Sequence, residues 1–211
     1  RVTQMVFTYV ISGSNATITG FTPNTYAGPL EIPITLGGSN VTSIGNSAFL
    51  SYTGLTSISI PASVTAIGVD SFYNCSGLTS VIFASGSQLL TIGNSAFSDC
   101  SGLTSITIPA SVTTIGNSAF RQCAGLTTIA IPASVISIGD DAFLGSGLFL
   151  MRVSRINGLG LTAGGVTRYG KSFTIEVIII SVSVKFDADT LGNLTQNNAT
   201  GTITITYTDT G

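Results

Sequence analysis

The sequence predicts a mainly β solenoid, in which short coils stack on one another around a shared core, and three observations predict it. A frame of 22 to 25 residues restarts at Leu55, Leu78, Leu103, Leu126 and Leu148. Equivalent positions in successive frames carry the same apolar residue types. Apolar residues make up 44% of the 211 residues, which is enough for a large core, while charged residues make up only 8%. Repeats of this length cannot bury an apolar face alone, so they must stack.

Two apolar columns run through the repeats and define the predicted core. One position is always phenylalanine, and another is always isoleucine followed by glycine. The columns are Phe49, Phe72, Phe97, Phe120 and Phe143, and Ile44, Ile67, Ile92, Ile115 and Ile138. We expect these ten residues to form a structural core ladder, because like residues of stacked coils meet in a common interior.

The repeat that starts at Leu55 predicts the path of one coil. Apolar and polar residues alternate so that Ile58 and Ile60 point inward, as in a half-buried strand. Pro61 ends that strand because it cannot donate a hydrogen bond to the next strand. Ile67 and the glycine after it predict a second, short extended piece. In a later copy, the run Asn94–Phe97 predicts a single helical turn, capped by the asparagine, that directs phenylalanine into the core.

Residues 1–29 predict an N-terminal cap for the repeat region, which we assign to residues 30–148 as five repeats. An uncovered end coil would expose both core and strand edge. Phe7–Ile11 and Ala16–Phe21 are typical of the two strands of a β-hairpin, joined by a Ser-Gly-Ser-Asn turn. We expect this hairpin to cover the first coil.

Residues 149–211 depart from the repeat and predict a small C-terminal β domain or assembly segment. Phe173–Phe186 is a candidate long strand whose first half is apolar on both faces, as in a strand buried on two sides. Thr202–Tyr207 alternates cleanly between polar and apolar residues. Because neither run has helical periodicity, we expect their strands to pair within the chain or with a neighbouring copy.

The repeat resembles that of a known family. Read from Leu55 onward, the pattern L-x-x-I-x-I-P-x-x-V-x-x-I-G-x-x-A-F-x-x-C-x-x-L is similar to the BspA-type leucine-rich repeat, over about residues 7–148. The resemblance implies a leucine-rich-repeat solenoid of the kind found on surface and secreted proteins of bacteria and protists, and in large DNA viruses. It also implies a role in adhesion and protein–protein contact rather than catalysis. We recognise no family in residues 149–211.

Composition argues against several function classes. The chain contains no histidine, which removes the commonest general base, the usual partner of a serine or cysteine nucleophile, and most zinc sites. A net charge of −2 disfavours nucleic-acid binding, which needs a dense basic face. The longest apolar run, Val177–Ile180, is too short to span a membrane. We therefore expect no enzymatic activity, no cofactor, no nucleic-acid partner and no membrane span.

Three cysteines, Cys75, Cys100 and Cys123, occupy one repeat position. A stacked, small, buried position is the favoured interpretation, since free cysteine is among the most buried residue types. A disulfide between stacked coils is an alternative, although it would leave the third thiol unpaired. Metal binding by these thiols is disfavoured by the absence of histidine and of any CxxC spacing.

Two acidic residues of the C-terminal segment form a weak candidate calcium site. Asp187 and Asp189 resemble the start of a calcium-binding loop. The fifth position of that loop is Leu191 and the twelfth is Asn198, neither of which is the expected ligand. A turn stabilised by Asx side chains is therefore the favoured interpretation, and we expect no metal.

Four basic residues of the same segment form a candidate interaction face for an anionic surface or a glycan. They are Arg152, Arg155, Arg168 and Lys171. A solvated rim, or pairing with acidic residues of a neighbouring subunit, is favoured over that interpretation because the set contains only four charges.

The sequence favours a non-catalytic structural or interaction protein displayed outside a cell or on a virion surface. A surface this poor in charge offers little repulsion between copies, so we expect self-assembly through the β-rich ends into a filament, an array or a virion-type shell. Its partners would be copies of itself or another protein of the same assembly. The alternative is a surface adhesin that binds a host surface protein or glycan through the solenoid face.

Overall fold

The computed structural model describes residues 5–148 and, beyond them, the backbone of residues 150–153, 173–178, 194–197 and 202–207. The strands before residue 149 are β1 (Val6–Ser12), β2 (Asn15–Thr22), β3 (Gly28–Glu31), β4 (Thr35–Leu36), β5 (Ser39–Ile44), β6 (Leu55–Ile60), β7 (Ala66–Ile67), β8 (Ser80–Phe83), β9 (Thr91–Ile92), β10 (Ser105–Ile106), β11 (Thr114–Ile115), β12 (Thr128–Ile131) and β13 (Ser137–Ile138). Those after it are β14 (Leu150–Val153), β15 (Phe173–Ile178), β16 (Leu194–Asn197) and β17 (Thr202–Tyr207).

The repeats form a solenoid of about five turns, which confirms the predicted mainly β architecture. Each coil contributes one strand to the first sheet and one to the second sheet or, in the last coil, to the third, and the strands of successive coils pair in parallel. The first sheet has the order β1-β2-β5-β7-β9-β11-β13, with β4 beside β5. The second has the order β10-β8-β6-β3, and one bridge between Thr107 and Ala130 leads from it to a third sheet of order β12-β14-β15-β17-β16.

The phenylalanine and isoleucine columns lie inside this stack. All five phenylalanine side chains are at most 3% exposed. Their rings stack nearly parallel, with 5.1–5.5 Å between successive centroids and 1–7° between planes. This spacing is set by the distance between neighbouring parallel strands, about 4.8 Å. The isoleucines pair in register across the short strands of the first sheet and are also buried.

The predicted helical turn before each phenylalanine is wrong, and no helix occurs among the residues that the structure describes. Ser95 and Asp99 have φ angles of 50° and 60°, whereas an α-helix needs about −63°. The backbone N–H groups of this turn donate alternately within their own coil and to the next coil. Ser98 N–H donates to Ser95 within the coil at 3.1 Å, whereas Phe97 N–H donates to Ala119 of the next coil at 2.8 Å. The backbone therefore satisfies its polar groups between coils, which a helix cannot do.

The predicted asparagine cap is also wrong, because the asparagines connect coils. The side-chain oxygen of Asn94 accepts a hydrogen bond from the backbone N–H of Asn117 in the next coil at 2.9 Å. Asn46 and Asn117 make the same contact, to Val69 and Asp140 respectively. The close approach of neighbouring coils at this point explains the glycine of each Ile-Gly pair. A Cβ on Gly116 would lie 2.6 Å from the backbone nitrogen of Asn94, which is too close.

Val69 occupies the asparagine position in its own coil. Its side chain has no oxygen that could accept a hydrogen bond from the backbone N–H of Asn94 in the next coil. We expect Val69→Asn to raise the free energy of unfolding by about 1 kcal/mol, the usual net contribution of one hydrogen bond. Urea denaturation of the variant measures the gain. Val69→Ala, which lacks the oxygen, is the control. Equal stability of the two variants would contradict the prediction.

Ser71 carries a fully buried hydroxyl that has no hydrogen-bond partner among the described residues. The equivalent residues in the other coils are all alanine, namely Ala48, Ala96, Ala119 and Ala142. We expect Ser71→Ala to stabilise the protein by about 1–3 kcal/mol, because it removes an unsatisfied polar group. Ser63→Ala is the control and should destabilise, since the Ser63 hydroxyl donates to the Val41 carbonyl at 2.7 Å. A lower melting temperature for Ser71→Ala would refute this expectation.

The two ends of the described chain add strands to the sheets. β1 and β2 form an antiparallel hairpin, and β2 continues in parallel with β5. At the other end, β14 pairs in parallel with β12 and β15, and β17 pairs antiparallel with β15 and β16. Of the predicted strand Phe173–Phe186, residues 173–178 form β15, and the remainder lies outside the described residues.

Candidate functional site

The outward face of the second sheet carries small side chains. The exposed positions on β6, β8 and β10, and on the neighbouring β12 of the third sheet, are serine, threonine, alanine and Ile82. These four strands contain no charged residue, whereas β3 at the end of the second sheet carries the exposed Glu31. Such a face lacks the tyrosine, tryptophan and arginine side chains that usually anchor a tight interface. It therefore offers shape and hydrogen bonding rather than strong anchors.

One apolar groove interrupts this face. It has a volume of about 480 Å³ and is lined by Ile82, Phe83, Gly86 and Pro109, among others. The repeat between residues 78 and 103 is two residues longer than its neighbours, and the excess forms the corner beside the groove. The left-handed φ of Gly86, 73°, allows the chain to turn there.

The cysteine column is buried and bonded to the backbone. Cys75, Cys100 and Cys123 are free thiols with no exposed surface. The thiols of Cys75, Cys100 and Cys123 donate at 3.0–3.1 Å to the carbonyls of Phe49, Phe72 and Phe97, each in the preceding coil. Burial raises the pKa of Cys123 to about 12. The pKa of Cys100 is also raised, first by its hydrogen bond with the Cys75 thiol and then by burial.

In the first and last coils, the position of the cysteine column is occupied by residues with a hydroxyl group. Tyr52 donates to the carbonyl of Phe21, and Ser146 donates to that of Phe143. The sequence predicted a small buried position here but missed that every member donates to a backbone carbonyl. The shared signal is that tyrosine, cysteine and serine all carry a donor.

A second, polar groove lies where the turns containing phenylalanine stack. This turn-face groove has a volume of about 340 Å³ and is lined by Tyr73, Asp99, Arg121, Gln122 and three serines. Residues 5–148 contain six charged side chains, and five of them belong to these turns. Sequence reasoning missed the groove, because its residues come from three repeats and meet only when the coils stack.

The N-terminal edge of the first sheet is exposed and apolar. β1 is the first strand in the sheet, and among the described strands it pairs only with β2. Val6, Tyr9, Val10 and Ile11 on this strand are exposed. No charged residue occurs from position 5 to position 30. Edge strands in soluble proteins are usually protected by charged residues, prolines or bulges near their exposed side.

The predicted sites in the C-terminal segment are only partly within the described residues. Arg152 lies on β14, in register with Ala130 and Glu176 on the two neighbouring strands. The other members of the predicted basic face, Arg155, Arg168 and Lys171, and the weak calcium candidates Asp187 and Asp189 lie outside the described residues. Within the part of the chain that is described, no three His, Cys, Asp or Glu residues cluster as metal ligands. No described helix is long and apolar enough to span a membrane.

The stacked coils, the uniform core columns and the parallel sheets define a leucine-rich-repeat solenoid. The BspA type leucine-rich repeat model matches residues 30–149 in six copies, one more than the spacing of the sequence delimits. Because the match covers more than half of the chain, the protein belongs to the BspA-type leucine-rich-repeat family, as the resemblance predicted. No curated protein sequence matches the chain.

Several solved structures are similar to this solenoid. A T. pallidum leucine-rich repeat protein is 29% identical with a TM-score of 0.65, over 69% of this chain and 68% of that one. A leucine-rich cell surface protein of Faecalibacterium prausnitzii A2-165 is 32% identical with a TM-score of 0.59, over 71% and 45%. The pneumococcal vaccine antigen PcpA is 25% identical with a TM-score of 0.59, over 84% and 50%. The chain therefore spans about half the length of the last two proteins.

Proposed function

We propose that this chain is a non-catalytic structural or interaction protein, displayed on a cell or virion surface, whose copies assemble through their β-rich ends. Family membership supports the general class, since one similar structure is described as a cell surface protein and another as a vaccine antigen. In this proposal residues 1–29 cap the solenoid, residues 30–148 form a rigid spacer, and residues 149–211 form a second assembly end.

The exposed edge of β1 carries this proposal. An edge strand presents a row of unpaired N–H and C=O groups that can pair with another chain. β1 is seven residues long, uncharged and mostly apolar. A second β1 could pair with it antiparallel without placing like charges opposite one another. Both hydrogen bonding and burial of apolar surface would then favour association.

Val10→Lys tests the proposed assembly edge. Val10 is 60% exposed, so lysine can be accommodated in the monomer, but it would place two charges close together in a paired edge. We expect the wild-type full chain to form oligomers in light scattering and Val10→Lys to reduce them to monomers. Leu90→Lys, at a 48% exposed position in the middle of the solenoid, is the matched control and should leave the oligomers unchanged. A monomeric wild type would contradict the proposal.

Deletion of residues 202–211 tests the second assembly end. It removes β17, which pairs with both β15 and β16. We expect smaller particles in light scattering, and unchanged particle size would count against a role of this end in assembly. Circular dichroism of the deleted chain reports whether the solenoid remains folded.

The apolar groove beside Ile82 and Phe83 favours a second candidate function, that of an adhesin. It is the place on the strand face where large apolar side chains are available to a host protein or glycan. An adhesin should remain monomeric in dilute solution and bind its ligand with a 1:1 ratio, whereas an assembly subunit should form ordered oligomers. The light-scattering experiment above therefore discriminates the two functions.

A further inference from the structure

We propose that the turn-face groove is a binding site for one sugar ring of a neutral glycan. The groove crosses three consecutive coils, at the turns that contain the core phenylalanines. It lies in the middle of the stack, far from the edge strand invoked for assembly. The inference is independent of the proposed function, because it rests on residues that assembly does not use.

The shape of the groove follows from one column of side chains. The residue after each core phenylalanine is Leu50, Tyr73, Ser98, Arg121 and Leu144 in successive coils. Tyr73 and Arg121 are large and exposed, whereas Ser98 between them is small and buried. The two large residues are separated by two coil steps, about 10 Å. That span admits one ring between the two side chains, and the volume of about 340 Å³ is within the range of small-molecule sites.

The polar groups of the groove match a pair of neighbouring hydroxyls. Arg121 can only donate hydrogen bonds, and the carboxylate of Asp99 can only accept them. Both line the groove, yet neither forms an ion pair with any described residue. A sugar hydroxyl both accepts and donates, so two adjacent hydroxyls can satisfy the two groups at once. Gln122 adds an amide with both capabilities.

Asp99 is positioned for this role by its neighbour. The hydroxyl of Ser98 donates to Oδ2 of Asp99 at 3.0 Å. Because a carboxylate has about four acceptor sites, this bond orients the group and leaves Oδ1 available. A single bond from a buried serine thus orients an acceptor that lines the groove.

Tyr73 supplies an apolar surface beside these polar groups. Its side chain is 37% exposed and lines the groove. Small-molecule sites combine an aromatic surface with a few convergent polar groups that fix orientation. The C–H face of a sugar ring is apolar and its rim is polar, which fits this combination. A neutral ligand is favoured over an anion, because Asp99 cancels the charge of Arg121.

Saturation-transfer NMR with the methyl glycosides of glucose, galactose, mannose and N-acetylglucosamine tests the proposal on the full chain. At least one glycoside should receive saturation at its ring protons. Tyr73→Ser should weaken its binding about tenfold, because the aromatic surface is lost. Ser98→Leu should abolish binding by filling the gap, and the fold accommodates leucine at the same position in two other coils.

Ile136→Ser is the control, since Ile136 is 60% exposed but lies outside both the groove and β1. It should leave the sugar signal unchanged, and thermal melting should show that all three variants remain folded. Absence of transfer to every glycoside would overturn the proposal. Equal loss in Tyr73→Ser and Ile136→Ser would also overturn it, as would binding of sulfate in place of all four sugars. Because β1 variants and groove variants are separate, failure here leaves the assembly proposal standing, and the reverse also holds.

Discussion

Replacing Phe97 with alanine is expected to lower the free energy of unfolding by about 3–5 kcal/mol, the range for removing a large side chain from a packed core. The ring is fully buried and stacks on Phe72 at 5.1 Å and on Phe120 at 5.4 Å. The substitution would therefore leave a cavity in the centre of the column and break two ring contacts at once. In a solenoid, stability depends on contacts between neighbouring repeats, so the stack should separate at this coil.

Denaturant unfolding and hydrogen exchange measure this effect. Phe143→Ala should cost less, because Phe143 has one stacked ring partner among the described residues and lies in the last coil. Ile136→Ala, at an exposed position, is the control and should stay within about 0.5 kcal/mol of wild type. A midpoint for Phe97→Ala within error of wild type would refute the placement of this ring at the centre of the core.

Raising the pH from about 9 to about 12 is expected to destabilise the protein through its buried thiols. Burial raises the pKa of Cys123 from 9.0 to about 12 in the folded state. Between these values the unfolded thiol has lost its proton and the folded thiol has kept it. The folded state thus binds more protons, and the free energy of unfolding falls as the pH rises. The stabilisation is fully present below pH 9 and is lost as the pH rises through the folded value.

Cys123→Ser isolates this contribution, because serine does not titrate in that range and is the natural residue at position 146 of the same column. The variant should lose less stability than wild type between pH 9 and pH 12. Tyr52, whose pKa burial also raises, contributes with the same sign in both proteins and cancels in the comparison. Iodoacetamide at pH 8 should label the thiols only after unfolding, since it reacts with the thiolate. Rapid labelling of the native protein would show that the column is accessible.

The local conformation of each turn was harder to predict than the core. Asn94 and Phe97 have the spacing of a capped helical turn, and the sequence of one repeat favours that interpretation. Their hydrogen-bond partners, however, are Asn117 and Ala119 of the next coil. A pattern confined to one repeat contains no information about groups that arrive from a repeat 23 residues later. The ladder of inter-coil bonds therefore replaced the helix.

The two candidate grooves also differ in how far the sequence could predict them. The longer corner beside Ile82 was visible as two extra residues, since an insertion changes the repeat length directly. Tyr73, Asp99 and Arg121 gave no such signal, because each is an ordinary surface residue in its own repeat.

Regular spacing of Phe and Ile was enough to specify the period, the inward face and the stacking of coils, because identical apolar residues at equal intervals can be buried only against one another. The stacking of the coils in three dimensions determined what the spacing could not. It determined the partner of each backbone N–H and the donor role of the cysteine column. It also brought Asp99, Arg121 and Tyr73 together in one groove. The physical reason is that hydrogen bonds and grooves depend on distances between coils, and these arise only when the chain has folded.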